Sequence, residues 1–228
     1  MYHLKKRIRL LRTLSGLPLI AAALLLIAAA LLLIAYNLWS ETAAAASSNA
    51  ALQQILEDIP SPAQASGQAS IPAALPDYVL PDYCLNPEMD MPTTEINGKD
   101  YIGVLEIPAL DLSLPIISQW SYPNLKLSPC CYAGSAYLDN LVIAAHNYST
   151  HFGNIKNLRP GDTLSFTDVD GNVFYYEVSD IEILKPTDTR EMVAGDYALT
   201  LFTCTYGGQS RVTVRCDRIG SHDFSPAY

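Results

Sequence analysis

The sequence predicts an all-β domain, an antiparallel barrel or sandwich with a few short helices, preceded by one membrane-spanning helix. Three observations lead there. Leu17 to Tyr36 holds no charged residue and consists almost wholly of Leu, Ala and Ile. Beyond residue 100, short runs rich in Val, Ile, Leu, Thr and Tyr alternate with clusters of Gly, Pro, Asn and Asp, the rhythm of strands and turns. Helical spacing is confined to a few pieces there: a turn near Tyr122 to Leu127, Ser149 to Leu158, and Arg190 to Gly195.

At about 1.5 Å per residue, the stretch from Leu17 to Tyr36 covers the ~30 Å hydrocarbon thickness of a bilayer. Lys5, Lys6, Arg7, Arg9 and Arg12 precede it, and the first acid in the chain is Glu41. The positive-inside rule therefore puts the N-terminus in the cytoplasm and everything after Trp39 outside. Tyr36 and Trp39 suit the outer interface. A cleaved secretory signal is the alternative, with Ala43 to Ala46 offering small residues for processing. A signal's apolar core, however, runs only about 7 to 15 residues. The expected division is a cytoplasmic basic segment over 1–13, an anchor over 14–39, an extracellular stalk and linker over 40–84, a folded domain over 85–220 and a tail over 221–228.

Within the stalk, Glu41 to Asp58 is Ala-rich with Leu52, Ile55 and Leu56 at helical spacing, which predicts a short helix. Ile59 to Pro76 carries Pro, Ala, Ser, Gln and Gly with almost no charge, and predicts a flexible or extended tether. Leu75-Pro76-Asp77-Tyr78 is then repeated as Leu80-Pro81-Asp82-Tyr83. The plain reading is a Pro-stiffened connector that docks its tyrosines on the domain.

Strands are expected at Tyr101 to Ile107, Leu112 to Ser118, Leu141 to Ala145, Thr163 to Thr167, Val173 to Leu184, Leu199 to Cys204 and Arg211 to Arg218. Asp170-Gly171-Asn172, between two of these runs, is a hairpin signal. In the last run the period-2 rule sets Arg211, Thr213 and Arg215 on one face and Val212, Val214 and Cys216 on the other. The apolar set faces the core, so Arg211 faces out with its charge available.

The formal net charge is -9, and it is unevenly spread. After residue 40, nine Lys plus Arg stand against 23 acids, leaving -14. Such an acidic domain argues against nucleic acid or anionic lipid as a partner and suits amine-bearing substrates. Of the five cysteines, Cys84, Cys130, Cys131, Cys204 and Cys216, an even four remain for bridges if Cys204 is kept free. Adjacent Cys130 and Cys131 would form a strained ring, so Cys84 with one of them is the expected disulfide. Cys216 reads as a small buried apolar group. No His, Cys or Asp cluster has metal-ligand spacing, so neither metal nor other cofactor is expected.

Chemistry concentrates in three places. Ala198 to Phe202 is an apolar run that ends in Thr203-Cys204, and the loop Thr205 to Ser210 leads to Arg211. Leu141-Val142-Ile143-Ala144-Ala145 likewise ends in His146. A thiol acts as a nucleophile only as thiolate, and with an ordinary pKa near 8.5 it needs a base or a nearby cation. His146 and Arg211 supply both. Two competitors are weaker: His151 falls in the polar 149–158 stretch and reads as a surface residue or one beside the site, and Arg215 lies farther from the strand end than Arg211.

Leu199-Thr200-Leu201-Phe202-Thr203-Cys204 resembles the signature strand of the sortase family, a Thr-Leu-x-Thr-Cys run with an Arg on the following strand. The apolar run into His146 resembles that family's histidine strand, and the order His146, Cys204, Arg211 is the family's order. The resemblance spans about Tyr101 to Arg218, and leaves the class open between class B-like and pilin-type. It implies an eight-stranded antiparallel β-barrel with catalytic His146, Cys204 and Arg211. It also implies a transpeptidase that cleaves a Leu-Pro-x-Thr-Gly-like sorting signal of secreted proteins through a thioester and passes them to a peptidoglycan-precursor or pilin amine. In that light one Leu-Pro-Asp-Tyr copy could act as a lid lying in the substrate groove. A papain-like cell-wall peptidase places Cys before His, against the order here. A membrane-tethered, non-catalytic adhesion module, with Cys204 as a buried thiol, is the non-enzyme alternative.

Overall fold

Alternating burial along the long strands shows how this chain closes on itself. The structure, a computed structural model, describes residues 2–60, 80–194, 196–205 and 207–224. Two compact units are present, Met1–Thr42 and Ala43–Tyr228. The first belongs to the helix α1 (Tyr2–Asp58), whose large apolar side chains from Leu19 to Leu38 are exposed. Among the described residues one span is long and apolar enough to cross a bilayer, with a mean hydropathy of 2.9.

Among the described residues the second unit has nine strands: β1 (Thr94–Ile96), β2 (Lys99–Ile107), β3 (Leu112–Ile117), β4 (Cys130–Ala133), β5 (Leu141–Ala145), β6 (Thr163–Asp168), β7 (Val173–Leu184), β8 (Leu199–Cys204) and β9 (Arg211–Ile219). Short helices α2 (Asp82–Leu85), α3 (Tyr122–Leu125) and α4 (Thr189–Met192) lie between them. The strand order is β1-β2-β3-β4-β5-β8-β9-β7-β6, and β6 pairs back onto β2. Eight strands thus form the expected closed barrel, and β1 makes a hairpin on the start of β2. Two of its pairings, β3 with β4 and β5 with β8, are parallel, so the barrel is antiparallel in the main rather than throughout. The closing seam depends on Gly103, which faces Asp168 across it at φ 152°; a Cβ there would lie 2.1 Å from the Thr167 carbonyl oxygen.

Phe174, Tyr176 and Val178 of β7 point inward with Leu105, Ile143, Phe166, Leu199, Leu201, Val214 and Cys216 to fill the barrel. The outer face carries two further cores. One joins Ala51, Leu52 and Ile55 of α1 to Val104, Ile117, Cys130 and Ala144. The end of α1 is therefore packed on the barrel, and the compact unit begins at Ala43, within the 40–84 stretch that the sequence assigned to stalk and linker. The apolar side of this helix, legible as Leu52 and Ile55, is hidden because β2 to β5 present apolar side chains outward as well as inward. Ser48 adds a hydroxyl contact of 3.4 Å to Ser128, whose own hydroxyl donates to the Pro115 carbonyl at 2.5 Å.

The second Leu-Pro-Asp-Tyr copy is docked. Tyr83 stacks on Tyr137 at 4.6 Å between ring centres and tilts against Phe174 at 5.4 Å. Both partners adjoin the β6–β7 hairpin, whose turn is tied by Asp168 Oδ1 accepting from the amides of Asp170 and Asn172. That hairpin lies beside the Ile219 end of β9, the end opposite Arg211. This copy is a connector and does not occupy a groove near Cys204; the copy at 75–78 lies outside the described residues.

Three other expectations change. All five cysteines are free, so the expected Cys84 bridge is absent. Cys130 is buried between α1 and the barrel, whereas Cys84 sits exposed beside Tyr83. The 149–158 stretch forms successive turns, with only Ile155–Asn157 as a 3-10 helix. Phe152 and Ile155 are drawn into the core and take His151 with them, so it is buried rather than on the surface.

Candidate active site

The outer face of β5, β8 and β9 carries side chains in register. Ala144 pairs with Phe202 and Ala145 with Thr203 across the parallel β5–β8 ladder; the next residues are Cys204, the last of β8, and His146, the first beyond β5. Cys204 pairs directly with Arg211 across the antiparallel β8–β9 ladder. Paired residues project to one side of a sheet, which puts the thiol and the guanidinium on the same outer face, with His146 following the neighbouring strand β5. All three are half-buried. The inward-pointing Thr203 locks the two strands: its hydroxyl donates to the Ala145 carbonyl at 2.9 Å, fastening the end of β8 to the end of β5.

His146 is held by its backbone, whose carbonyl accepts from the Phe152 amide at 3.2 Å as the chain turns back. Its ring lies 4.9 Å from that of Tyr148, which lies 5.6 Å from His151. Burial, and then the charge of Lys126, push the imidazole below its ordinary value of 6.5. It is thus neutral near pH 7 and able to accept a proton. Arg211 Nη1 donates to the carbonyls of Gly208 and Ser210, each at 3.1 Å. A guanidinium has five N–H donors, so these bonds leave others for an oxygen in the cleft.

Arg211 and Phe202 also line a cleft of about 170 Å³, together with Trp120, Tyr122, Tyr132, Pro186, Thr189 and Met192. Trp120 meets Tyr132, and Tyr132 meets Phe202, both edge to face at 5.6 and 5.2 Å. A half-buried thiol paired with a cation that lines an aromatic cleft, and a neutral imidazole at the end of the adjoining strand, are groups suited to acyl transfer.

The family model for the sortase domain matches residues 105–219, half of the chain. The chain belongs to the sortase family. Sortase A of Bacillus anthracis is 26% identical over 141 residues, an alignment that covers 58% of this sortase and 66% of that protein. Among solved structures, Clostridium perfringens sortase C, determined with its C-terminal cell wall sorting motif, is 28% identical, with 54% of this chain and 72% of that chain covered at a TM-score of 0.48. The Clostridium perfringens sortase D5 transpeptidase is 25% identical, with 61% and 88% covered at a TM-score of 0.49.

Of the three residues singled out in the sequence of this sortase, Cys204 and Arg211 are direct cross-strand partners and His146 follows the end of the strand alongside, whereas the two competitors are buried elsewhere. Arg215 projects to the same face as Arg211 but is buried beneath α4, and His151 is buried behind Tyr148. Sequence reasoning missed the aromatic lining. Trp120 stands in a loop, Tyr122 opens the one-turn helix α3 and Tyr132 lies in the short strand β4, segments too short for periodicity to assign a face. Thr203 was within reach, because a threonine next to the nucleophile points inward by alternation and so needs a hydrogen-bond partner.

Proposed function

We propose that this sortase is a membrane-anchored cysteine transpeptidase. In this reading residues 1–13 are cytoplasmic, 14–39 anchor the chain, and the catalytic domain, with residues 85–220 carrying the chemistry and 221–228 as its tail, works outside the cell. It cleaves a Leu-Pro-x-Thr-Gly-like sorting signal of a secreted protein and transfers the acyl fragment to the amine of a peptidoglycan precursor or a pilin.

His146 takes the thiol proton of Cys204, and the sulfur attacks the scissile carbonyl. Arg211 faces the oxygen on which negative charge develops, where a charged donor in a partly dry cleft is worth about 3 kcal/mol or more. The C–N bond breaks, His146 gives its proton to the leaving amine, and a thioester remains on Cys204. The incoming amine attacks the thioester, loses a proton to His146, and the released thiolate recovers it. No step requires a metal or cofactor. Membrane anchoring keeps the enzyme next to substrate and acceptor, both handled at the outer surface.

The observation that supports this reading is the pairing of Cys204 with Arg211 on the strand next to the one that leads into His146, with Arg211 lining the aromatic cleft. The test is an assay of the full chain in detergent against Leu-Pro-x and Asn-Pro-x peptide libraries, with and without wall-type amines and pilin-type lysine peptides. Time-dependent cleavage, product transfer to one amine class, and loss of both in Cys204→Ala are expected. No cleavage of any peptide, together with a Cys204 that resists thiol reagents in the folded protein, would leave the adhesion-module alternative.

A further inference from the structure

The segment that roofs the cleft is held by a residue the mechanism does not use. From Lys185 to Ala194 only Met192 is buried, so the segment has little packing of its own to fix it. Arg215 of β9 lies directly beneath it at 2% exposure. Its Nε donates to Glu182 Oε1 at 2.7 Å, Nη1 to Thr200 Oγ1 at 3.0 Å and to the Met192 carbonyl at 3.1 Å, and Nη2 to the Glu191 carbonyl at 2.6 Å. The guanidinium also lies 5.1 Å over the Tyr197 ring. One side chain thus joins β7 and β8 to the last carbonyls of α4, the groups a short helix leaves without internal partners. Thr213, next along the same face, donates to Met192 Sδ at 3.7 Å, and the Met192 side chain lines the cleft.

We propose that Arg215 is a positioning residue that clamps the 185–194 segment over the cleft and thereby sets how tightly the substrate peptide is bound. The proposal rests on the reading of that cleft as the peptide groove. A lysine cannot replace it, because a compact ammonium with three donors does not span acceptors on both sides of a planar fork. A methionine of similar length leaves the Glu191 and Met192 carbonyls without their donor. The Cys204–Arg211 pair is untouched in either case, since Arg215 pairs with Thr200 four residues away.

The experiment uses the full chain in detergent micelles, with Arg215→Lys and Arg215→Met compared by hydrogen–deuterium exchange and by steady-state kinetics on a fluorogenic Leu-Pro-x-Thr-Gly peptide. Exchange in 185–194 should rise about ten-fold or more while β5 and β8 keep their protection. KM should rise about ten-fold with kcat held within about three-fold, the signature of lost binding rather than lost chemistry. Should Arg215→Met fail to fold, Glu182→Gln, which removes the charge holding Nε, carries the test with a smaller shift in the same direction. Unchanged exchange in 185–194, or a loss confined to kcat, overturns the proposal. If the unmodified protein cleaves no peptide, the transpeptidase reading falls separately, and the exchange data still decide whether Arg215 is the clamp.

Discussion

Five thiols in one small protein have very different chemical prospects. Burial pushes Cys130 up to about 12 and Cys131 up to about 11, and Cys216, sealed in the barrel, is raised as well, so none of these supplies thiolate at neutral pH. Cys204 stands half-buried at a strand end with Arg211 opposite. Cys204→Ser should lower kcat/KM by about a thousand-fold or more while leaving the thermal midpoint nearly unchanged. Arg211→Ala should cost about a hundred-fold or more in kcat, with Arg211→Lys recovering only part because the fork is lost. The imidazole of His146 has a folded-state pKa below 6.5, so kcat/KM should hold as pH falls to 6.5 and decline only beneath it. The same shift acts on stability. Protons bind more readily to the unfolded chain, so the contribution is present above pH 6.5 and is lost as pH falls through the lowered value. An acid limb centred above 6.5 in the pH–rate profile would contradict this assignment, and His146→Gln should flatten the matching part of the pH–stability curve.

At the scale of elements, parallel pairing of β5 with β8 brings residues 58 apart in the chain into one row, and the Thr203 hydroxyl fastens it. Thr203→Val keeps the shape and removes the bond. Stability should fall by about 1 kcal/mol, measured by urea unfolding, and kcat/KM should fall with it as the two strand ends loosen. Much of this level was legible in the sequence. The run Leu199 to Cys204 and the alternation Arg211 to Cys216 have the required period, and the observed strands match them. β4 was not legible, because Cys130-Cys131-Tyr132-Ala133 is short and its residues are drawn into different cores. Nor was the cover over β9: alternation correctly put Arg211, Thr213 and Arg215 on the outer face, but only the tertiary fold shows that α4 buries two of them.

For the folded unit as a whole, the barrel closes through the β2–β6 ladder from Gly103 to Glu106, and the two backbones approach most closely at Gly103. Gly103→Ala forces a methyl group onto the Thr167 carbonyl oxygen and disfavours the φ of 152°. A loss of about 2 kcal/mol or more is expected in chemical unfolding. The outer core built by the end of α1 makes a second demand. Ile55→Asp places an unpaired charge where Ile55 is fully buried, and should destabilise the domain by about 3 kcal/mol or more. A domain unaffected by that change would mean that the helix end is a free stalk after all.

Both borders of the 61–79 stretch lie against one hairpin: a Cβ on Gly171 would approach the Pro60 carbonyl oxygen at 3.2 Å, and Leu80 to Tyr83 share a cavity with Asp170 and Asn172. Ends docked so near each other keep their own contacts with the hairpin, so the two flanking segments can recognise the same surface whether or not a chain joins them, though linkage raises their effective concentration. Expressed as two pieces, 1–60 and 80–228, the molecule should assemble through the packing of Ala51, Leu52 and Ile55 on the barrel, opening a route to a split enzyme.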